Sequence, residues 1–356
     1  MSKHLFKYNW KMSEDYPKEK NGKKVFSCFA CGGGSTMGYK LAGYEVLGCN
    51  EIDPKMMAAY RKNHNPKYSY LEPIQEFKNR NDLPEELYDL DILEGSPPCS
   101  SFSMAGNREK DWGKEKKFRE GQAEQVLDTL FFDFIDLTRN LQPKVVIAEN
   151  VTGILMGNAK KYVNKIYEEF ENAGYYIQHF VLDASKMGVP QRRKRVFFIG
   201  LRKNFENKIE STNPFVYKPY LDLEFDEPEI IFRDIRQDIN DRSLTPGSLR
   251  LWENRDEKDI DMSCTSGRID NKPNNWFSWN YIKKYNVCNT IVSGDTNVVY
   301  DEPRLLSNIE LKLAGSYPLD YNFLDNKTDY LIGMSVPPVM TAQIAKRIYE
   351  QWLSKL

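Results

Sequence analysis

Val25-Phe-Ser-Cys-Phe-Ala-Cys-Gly-Gly-Gly-Ser-Thr36 decides the fold class. The opening five residues, Val25 to Phe29, read as a buried strand that runs straight into three glycines and a helical segment ending near Gly43. Strand, glycine turn and helix in that order cradle a nucleotide-like ligand, because glycine lets the backbone come close and the helix amino end offers free N–H groups. A second strand, Tyr44 to Glu51, ends in an acid about twenty positions past the turn, where a carboxylate can accept from both ribose hydroxyls. Cys28 and Cys31 invite a zinc or redox reading. No second ligand pair stands at finger-like spacing, and strand plus turn already explain the segment.

Outward from there, Leu93-Glu-Gly-Ser-Pro-Pro-Cys-Ser-Ser-Phe-Ser103 follows the short apolar run Leu90 to Leu93. Cys99 thus emerges at the carboxyl end of a strand, where open α/β sheets place ligands. Pro97 and Pro98 stiffen its support, as a nucleophile requires, although a small buried Cys beside a structural turn would look the same. Lys144 to Val151 is a further β-branched strand until it reaches Glu149 and Asn150, and a carboxylate there is costly without a task or a partner. Between them, Met104 to Arg119 reads as a lid with Gly106 and Gly113 as pivots or as a solvated loop, and Gln122 to Leu141 as an amphipathic helix. A helix over 159–173 and a strand from Tyr175 to Asp183 complete another α/β unit. The strand period from Val189 to Gly200 puts Gln191, Arg193 and Arg195 on one face, where guanidinium forks suit phosphates or base edges.

Beyond about Lys203 the alternation stops and the chain becomes polar, Pro-bearing and aromatic through Trp276 to Tyr285, so a domain boundary is expected there. Those aromatics fit either a nucleic-acid surface or the core of a small irregular domain. A helix from Val339 to Leu353 returns the chain to the first domain. Residues 1–24 read as a solvated leader without an apolar core, and no stretch is apolar enough for a membrane span, so a soluble cytoplasmic monomer with free thiols is expected. The net charge of -1 over 356 residues argues mildly against a nucleic-acid partner, though basic patches can hide within a balanced total.

Taken together, the ordered motifs resemble the cytosine-C5 DNA methyltransferase family over nearly the whole chain. Phe29-Ala-Cys-Gly-Gly-Gly34 resembles the S-adenosylmethionine loop and Asn50-Glu51-Ile-Asp53 the ribose and adenine segment. Pro98-Cys99-Ser-Ser-Phe102-Ser103 resembles the nucleophile motif, Glu149-Asn150-Val151 the acid motif, and Gln191-Arg-Arg193-Lys-Arg195 the paired-arginine motif. Arg304 to Glu310 with Tyr317-Pro318 is similar to the segment that organises the recognition domain. Met334 and Leu313 depart from the family's usual Asn and Arg, and Leu71-Glu-Pro-Ile-Gln75 stands where an adenine-binding aspartate is usual.

The resemblance implies a doubly wound, Rossmann-like sheet over residues 1–203 and 318–356, with a smaller, irregular target-recognition domain over 204–317. It implies Cys99, Glu149, Arg193 and Arg195 as catalytic residues and no metal. Cofactor contacts would come from Phe29, Ala30, Gly32, Gly34, Glu51, Ile52, Pro98, Leu130, Ser335 and Val336. The implied reaction moves methyl from S-adenosylmethionine to C5 of a flipped-out cytosine in double-stranded DNA through a Cys–C6 adduct. Transfer RNA as substrate, a catalytically silent DNA-binding homologue and a companion restriction endonuclease stay open.

Overall fold

The computed structural model describes residues 4–98, 115–116, 125–126, 129–156, 159–209, 219–273, 278–294 and 297–356. Two compact units divide the chain: one comprises Tyr16–Leu182, Lys194–Glu224 and Thr341–Leu356, the other Met1–Asp15, Asp183–Arg193 and Phe225–Met340.

The larger unit is built on a sheet. In chain order it contains β1 (Lys24–Cys28), α1 (Gly34–Leu41), β2 (Glu45–Glu51), α2 (Pro54–His64), β3 (Tyr68–Leu71) and β4 (Ile92–Gly95), then the short β5 (Glu115–Lys116) and β6 (Gln125–Val126). There follow α3 (Leu130–Leu141), β7 (Val145–Val151), α4 (Ala159–Asn172), β8 (Tyr175–Asp183) and β9 (Lys194–Arg202). Seven strands lie in the order β3-β2-β1-β4-β7-β9-β8. The pairs from β3 through β7 are parallel, and β9 runs antiparallel to β7. The fold is therefore the expected α/β type, doubly wound and mostly parallel.

One residue choice and the strand register fix this sheet. A Cβ on Gly48 would sit 1.8 Å from the Tyr68 carbonyl oxygen, so only glycine lets β2 and β3 pair here. Register then decides what each face carries, because aligned residues of neighbouring strands point the same way. Ser27 aligns with Cys49 and Glu94, Glu94 with Ile147, Glu149 with Phe197, and Val151 with Arg195. One face thus bears Glu51, Cys49, Ser27, Glu94, Glu149 and Arg195. Met57 and Tyr60 of α2 pack there against Cys49. The opposite face is apolar: Phe26, Leu93, Val146 and Phe198 pack with Phe131 and Phe134 of α3 and Ile166 and Phe170 of α4.

Some boundaries differ from the sequence reading. The helix expected over 122–141 begins only at Leu130, and Gln125–Val126 instead pairs antiparallel with Glu115–Lys116. Apolar spacing near residue 126 reflects a strand there, not a helix turn. β9 starts at Lys194, so the two-residue period does not extend back to Gln191 and Arg193.

The smaller unit carries α5 (Pro246–Glu253), α6 (Met262–Asp270), the parallel pair β10 (Asn280–Ile282) and β11 (Asn297–Val299), α7 (Asn308–Ala314) and α8 (Thr328–Met334); α9 (Pro338–Gln351) then carries the chain into the sheet unit. Met262, Tyr281 and Val298 form a small core with Trp252 and Leu305 packed on it. Here the aromatics serve a core, at least in part. The leader is not wholly solvated: Trp10 is 1% exposed and its indole N–H donates to the Ser316 carbonyl at 2.9 Å. A large ring with a polar handle found a buried acceptor, which outweighs the polar composition around it.

Candidate active site

At the carboxyl end of β1 the backbone turns through Phe29 and Cys31 in the left-handed region, with φ of 54° and 49°, before Gly33 at 87°. Non-glycine residues held there mark a turn that the surroundings over-determine. One determinant is Glu51, closing β2. Its Oε2 accepts from the Cys31 N–H at 2.7 Å, and its Oε1 accepts from the N–H groups of Ile52 and Asp53, both at 2.8 Å. Burial raises the Glu51 carboxyl above its ordinary range, and these backbone donors oppose that. The other determinant is His64 at the end of α2, whose Nε2 lies 3.1 Å from the Gly32 carbonyl oxygen. Asp53 caps α2 by accepting from Lys55 and Met56 N–H.

The acid motif sits at the same edge of the sheet. Glu149, near the end of β7, meets Arg195 from the start of antiparallel β9, with Nε to Oε1 at 3.1 Å. The costly carboxylate anticipated from sequence therefore has a cationic partner. Burial pulls the Arg195 guanidinium down from its usual range and Glu149 opposes the shift. Asn150 completes the strand end: its side-chain N–H donates to the Pro97 carbonyl at 3.2 Å, tying β7 to the proline turn after β4. Pro97 and Pro98 follow β4 as expected; Cys99 lies outside the described residues, as does the expected lid apart from Glu115 and Lys116.

Arg193 belongs elsewhere. Its guanidinium donates to the carbonyls of Ile291 at 2.8 Å and Gly333 at 2.9 Å within the smaller unit, and neighbouring Gln191 accepts from the Ile291 N–H. Arg193 and Arg195 are thus not brought onto one strand face. Ser335 and Val336 are also buried in that unit, where Tyr317 donates to Ser335 Oγ at 2.6 Å and Ser335 donates to the Leu331 carbonyl. Leu130 is fully buried at the start of α3. Sequence reasoning missed Glu94, a carboxyl 4% exposed in the centre of the sheet. Its signal was present, as an acid inside an otherwise apolar strand. Among the described residues, no group of three His, Cys, Asp or Glu could hold a metal ion, and no helix is long and apolar enough to cross a membrane.

A mostly parallel sheet with a strained turn after its first strand and a buried acid closing its second is the architecture of nucleoside-cofactor transferases. The chain belongs to the C-5 cytosine-specific DNA methylase family, whose model matches residues 23–350. It is 32% identical over 234 residues to the Type II methyltransferase M.NgoPII of Neisseria gonorrhoeae, covering 65% of this chain and 62% of that protein. With M.FnuDI of Fusobacterium nucleatum the identity is 36% over 181 residues, 51% of this chain and 47% of the relative. M1.HphI of Haemophilus parahaemolyticus matches at 28% over 336 residues, 90% and 85% of the two chains. The chain thus spans about half to two thirds of the first two relatives and most of the third. Spodoptera frugiperda DNMT2, solved as a triple mutant, shares the fold with a TM-score of 0.63 at 16% identity, over 92% of this chain and all of that one. S. pombe Dnmt2 does so with a TM-score of 0.59 at 14% identity, over 93% and 99%.

Proposed function

We propose that this protein transfers a methyl group from S-adenosylmethionine to C5 of a cytosine in a specific duplex DNA sequence. The observation that carries the reading is the Glu149–Arg195 pair, set at the strand edge that also holds Glu51 and the proline turn, in a chain of this family.

The residues present suit the cofactor. Three backbone N–H groups occupy the Glu51 oxygens, which leaves about one of a carboxylate's four or so acceptor positions for a ribose hydroxyl. Phe29, Ala30, Gly32, Gly34, Glu51 and Ile52, with Pro98 and Leu130, would hold S-adenosylmethionine, whose sulfonium supplies an electrophilic methyl group.

Cytosine C5 is a poor nucleophile until electrons are pushed into the ring. The Cys99 thiolate supplies them by bonding to C6. Glu149 donates a proton to ring N3 as negative charge builds there. Arg195 fixes the orientation of that carboxyl and stands near enough to the edge to meet the base carbonyl or an adjacent phosphate. The carbonyl bonds of Arg193 favour Arg195 over it in that role. Once C5 carries the methyl group, a water molecule takes its proton, the C6–S bond breaks to return the thiolate, and N3 hands its proton back to Glu149. Inside a duplex C6 is out of reach, so the base is rotated out first. Residues 204–317 are assigned to target recognition and the flanking segments, 1–203 and 318–356, to cofactor and chemistry. The Type II methyltransferases among the relatives extend the proposal to a restriction-modification setting with a cognate endonuclease.

The test is incorporation of labelled methyl from S-adenosylmethionine into duplex DNA, with the modified base identified as 5-methylcytosine. Cys99→Ala abolishes it. Full activity in that variant overturns the nucleophile assignment, and label appearing solely in transfer RNA moves the substrate to RNA.

A further inference from the structure

The sheet carries a second acid that the mechanism above leaves unused. Glu94 lies in the middle of β4, the central strand, and is 4% exposed. The Ser27 hydroxyl of β1 donates to its Oε1. Register places Glu94 beside Ile147, two residues before Glu149 on the same face. The titratable groups around it are Ser27's neighbour Cys28 from β1, Tyr39 from α1, Cys49 from β2, Tyr60 from α2 and Glu149 from β7. None of these is a cation. Arg195, the cation at this edge, faces Glu149, and among the described residues no Lys or Arg pairs with Glu94.

We propose that Glu94 is a positioning residue for the methyl transfer: buried beside Ser27 and one step along the strand face from Glu149, it keeps a second negative charge away from the acid that Arg195 orients, and acquiring that charge at alkaline pH stops the reaction. The inference rests on the cytosine-methylation reading. An acid in the apolar centre of a sheet is far cheaper neutral than charged. Burial pushes Glu94 up to about 8, the Ser27 hydrogen bond opposes that and the nearby Glu149 adds to it. Two carboxylates on one strand face resist joint ionisation. Below that pH the neutral acid spares the site a second negative charge. Above it Glu94 gives its proton to hydroxide, forming water, and the new charge opposes the negative charge that Cys99 addition must build on the ring.

The experiment is the pH profile of single-turnover methyl transfer to duplex DNA, each variant normalised to its own maximum, together with infrared difference spectra of the same protein. Wild type shows an alkaline limb near pH 8, falling about tenfold per pH unit above it, since one ionisation inactivates. Glu94→Gln, neutral at every pH, loses that limb. Ser27→Ala, which removes the hydrogen bond that favours the ionised form, moves the limb to higher pH. In the infrared, a carboxylic-acid C=O band present at neutral pH and lost through the limb is absent in Glu94→Gln. A wild-type limb that persists unchanged in Glu94→Gln overturns the inference while leaving the methylation reading intact. Absence of any methyl transfer by wild type, with the band still titrating, overturns the methylation reading and the positioning role with it.

Discussion

Arg195 Nε stands 3.1 Å from Glu149 Oε1, with 16% and 12% of the two side chains exposed to water. The pair joins the end of a parallel strand to the start of the one antiparallel strand beside it, which is why an arginine 46 positions further along the sequence can serve the acid. Replacing the guanidinium leaves the shielded Glu149 carboxyl without its orienting donor. Arg195→Met therefore lowers the single-turnover rate by about 100-fold or more, the scale of a lost general acid. Arg195→Lys restores part of it, because an ammonium lacks the planar fork. Activity near wild type in Arg195→Met would remove the pair from the mechanism.

Glu51 ties the turn after β1 to the start of α2 through three backbone donors. In Glu51→Gln an amide NH2 meets N–H groups that need an acceptor. Hydrogen bonds to charged groups are worth about 1.5–3 kcal/mol, so S-adenosylmethionine binding weakens by about tenfold or more. Calorimetric titration reads this directly, and unchanged affinity would exclude Glu51 from the cofactor site.

Gly33 is irreplaceable for two separable reasons. Its φ is +87°, and a Cβ would lie 2.1 Å from His64 Nε2. Gly33→Ala lowers the melting temperature and cofactor affinity together. Adding His64→Ala to it relieves the collision and leaves the conformational cost, about 1–2 kcal/mol for a left-handed residue. If the double variant is no more stable than the single one, collision is not the cause.

His64 also sets an acid limit on stability. Burial, then the Lys40 ammonium, pushes it down to about 3 from an ordinary 6.5, against the raising effect of the Gly32 carbonyl. Its folded pKa is thus below its unfolded one, so the unfolded chain binds the extra proton between those values. This contribution is present above about 6.5 and is lost as pH falls towards about 3. His64→Gln flattens that part of the curve of melting temperature against pH; an unaltered slope counts against a neutral buried imidazole.

Arg304 and Glu310 make a bidentate pair at 2.7 and 3.0 Å, with side-chain exposures of 2% and 0%. Glu310 closes a capping box with Ser307 at the start of α7 and also accepts from the Gln237 N–H. Arg304→Met strands that buried carboxylate and costs about 3–5 kcal/mol. Arg304→Met/Glu310→Met recovers much of the loss in chemical denaturation, whereas a double variant as unstable as the single one would show that packing, not charge, is decisive.

Much of this was readable in the chain. Apolar runs ending in Glu51, Glu149 and the proline turn gave the strands and their polar ends, because a parallel sheet buries both faces and gathers most of its polar residues at its carboxyl edge. Arg193 was not readable. Its alternation with Arg195 looks like a strand face, but the strand begins at Lys194, and the guanidinium satisfies two carbonyls distant in sequence. Trp10 and Glu94 escaped for a related cause: local composition reports the neighbours along the chain, while burial depends on partners such as Ser316 and Ser27 that tertiary packing supplies.

The chain changes unit five times, after residues 15, 182, 193, 224 and 340. Neither body is therefore a contiguous fragment. A truncation that passes residue 15 from the amino end, or residue 341 from the carboxyl end, removes parts of both, and a protease cutting once cannot liberate either intact. Exchange of the whole smaller unit between relatives by a single crossover is correspondingly barred, since three separate stretches of gene would have to travel together.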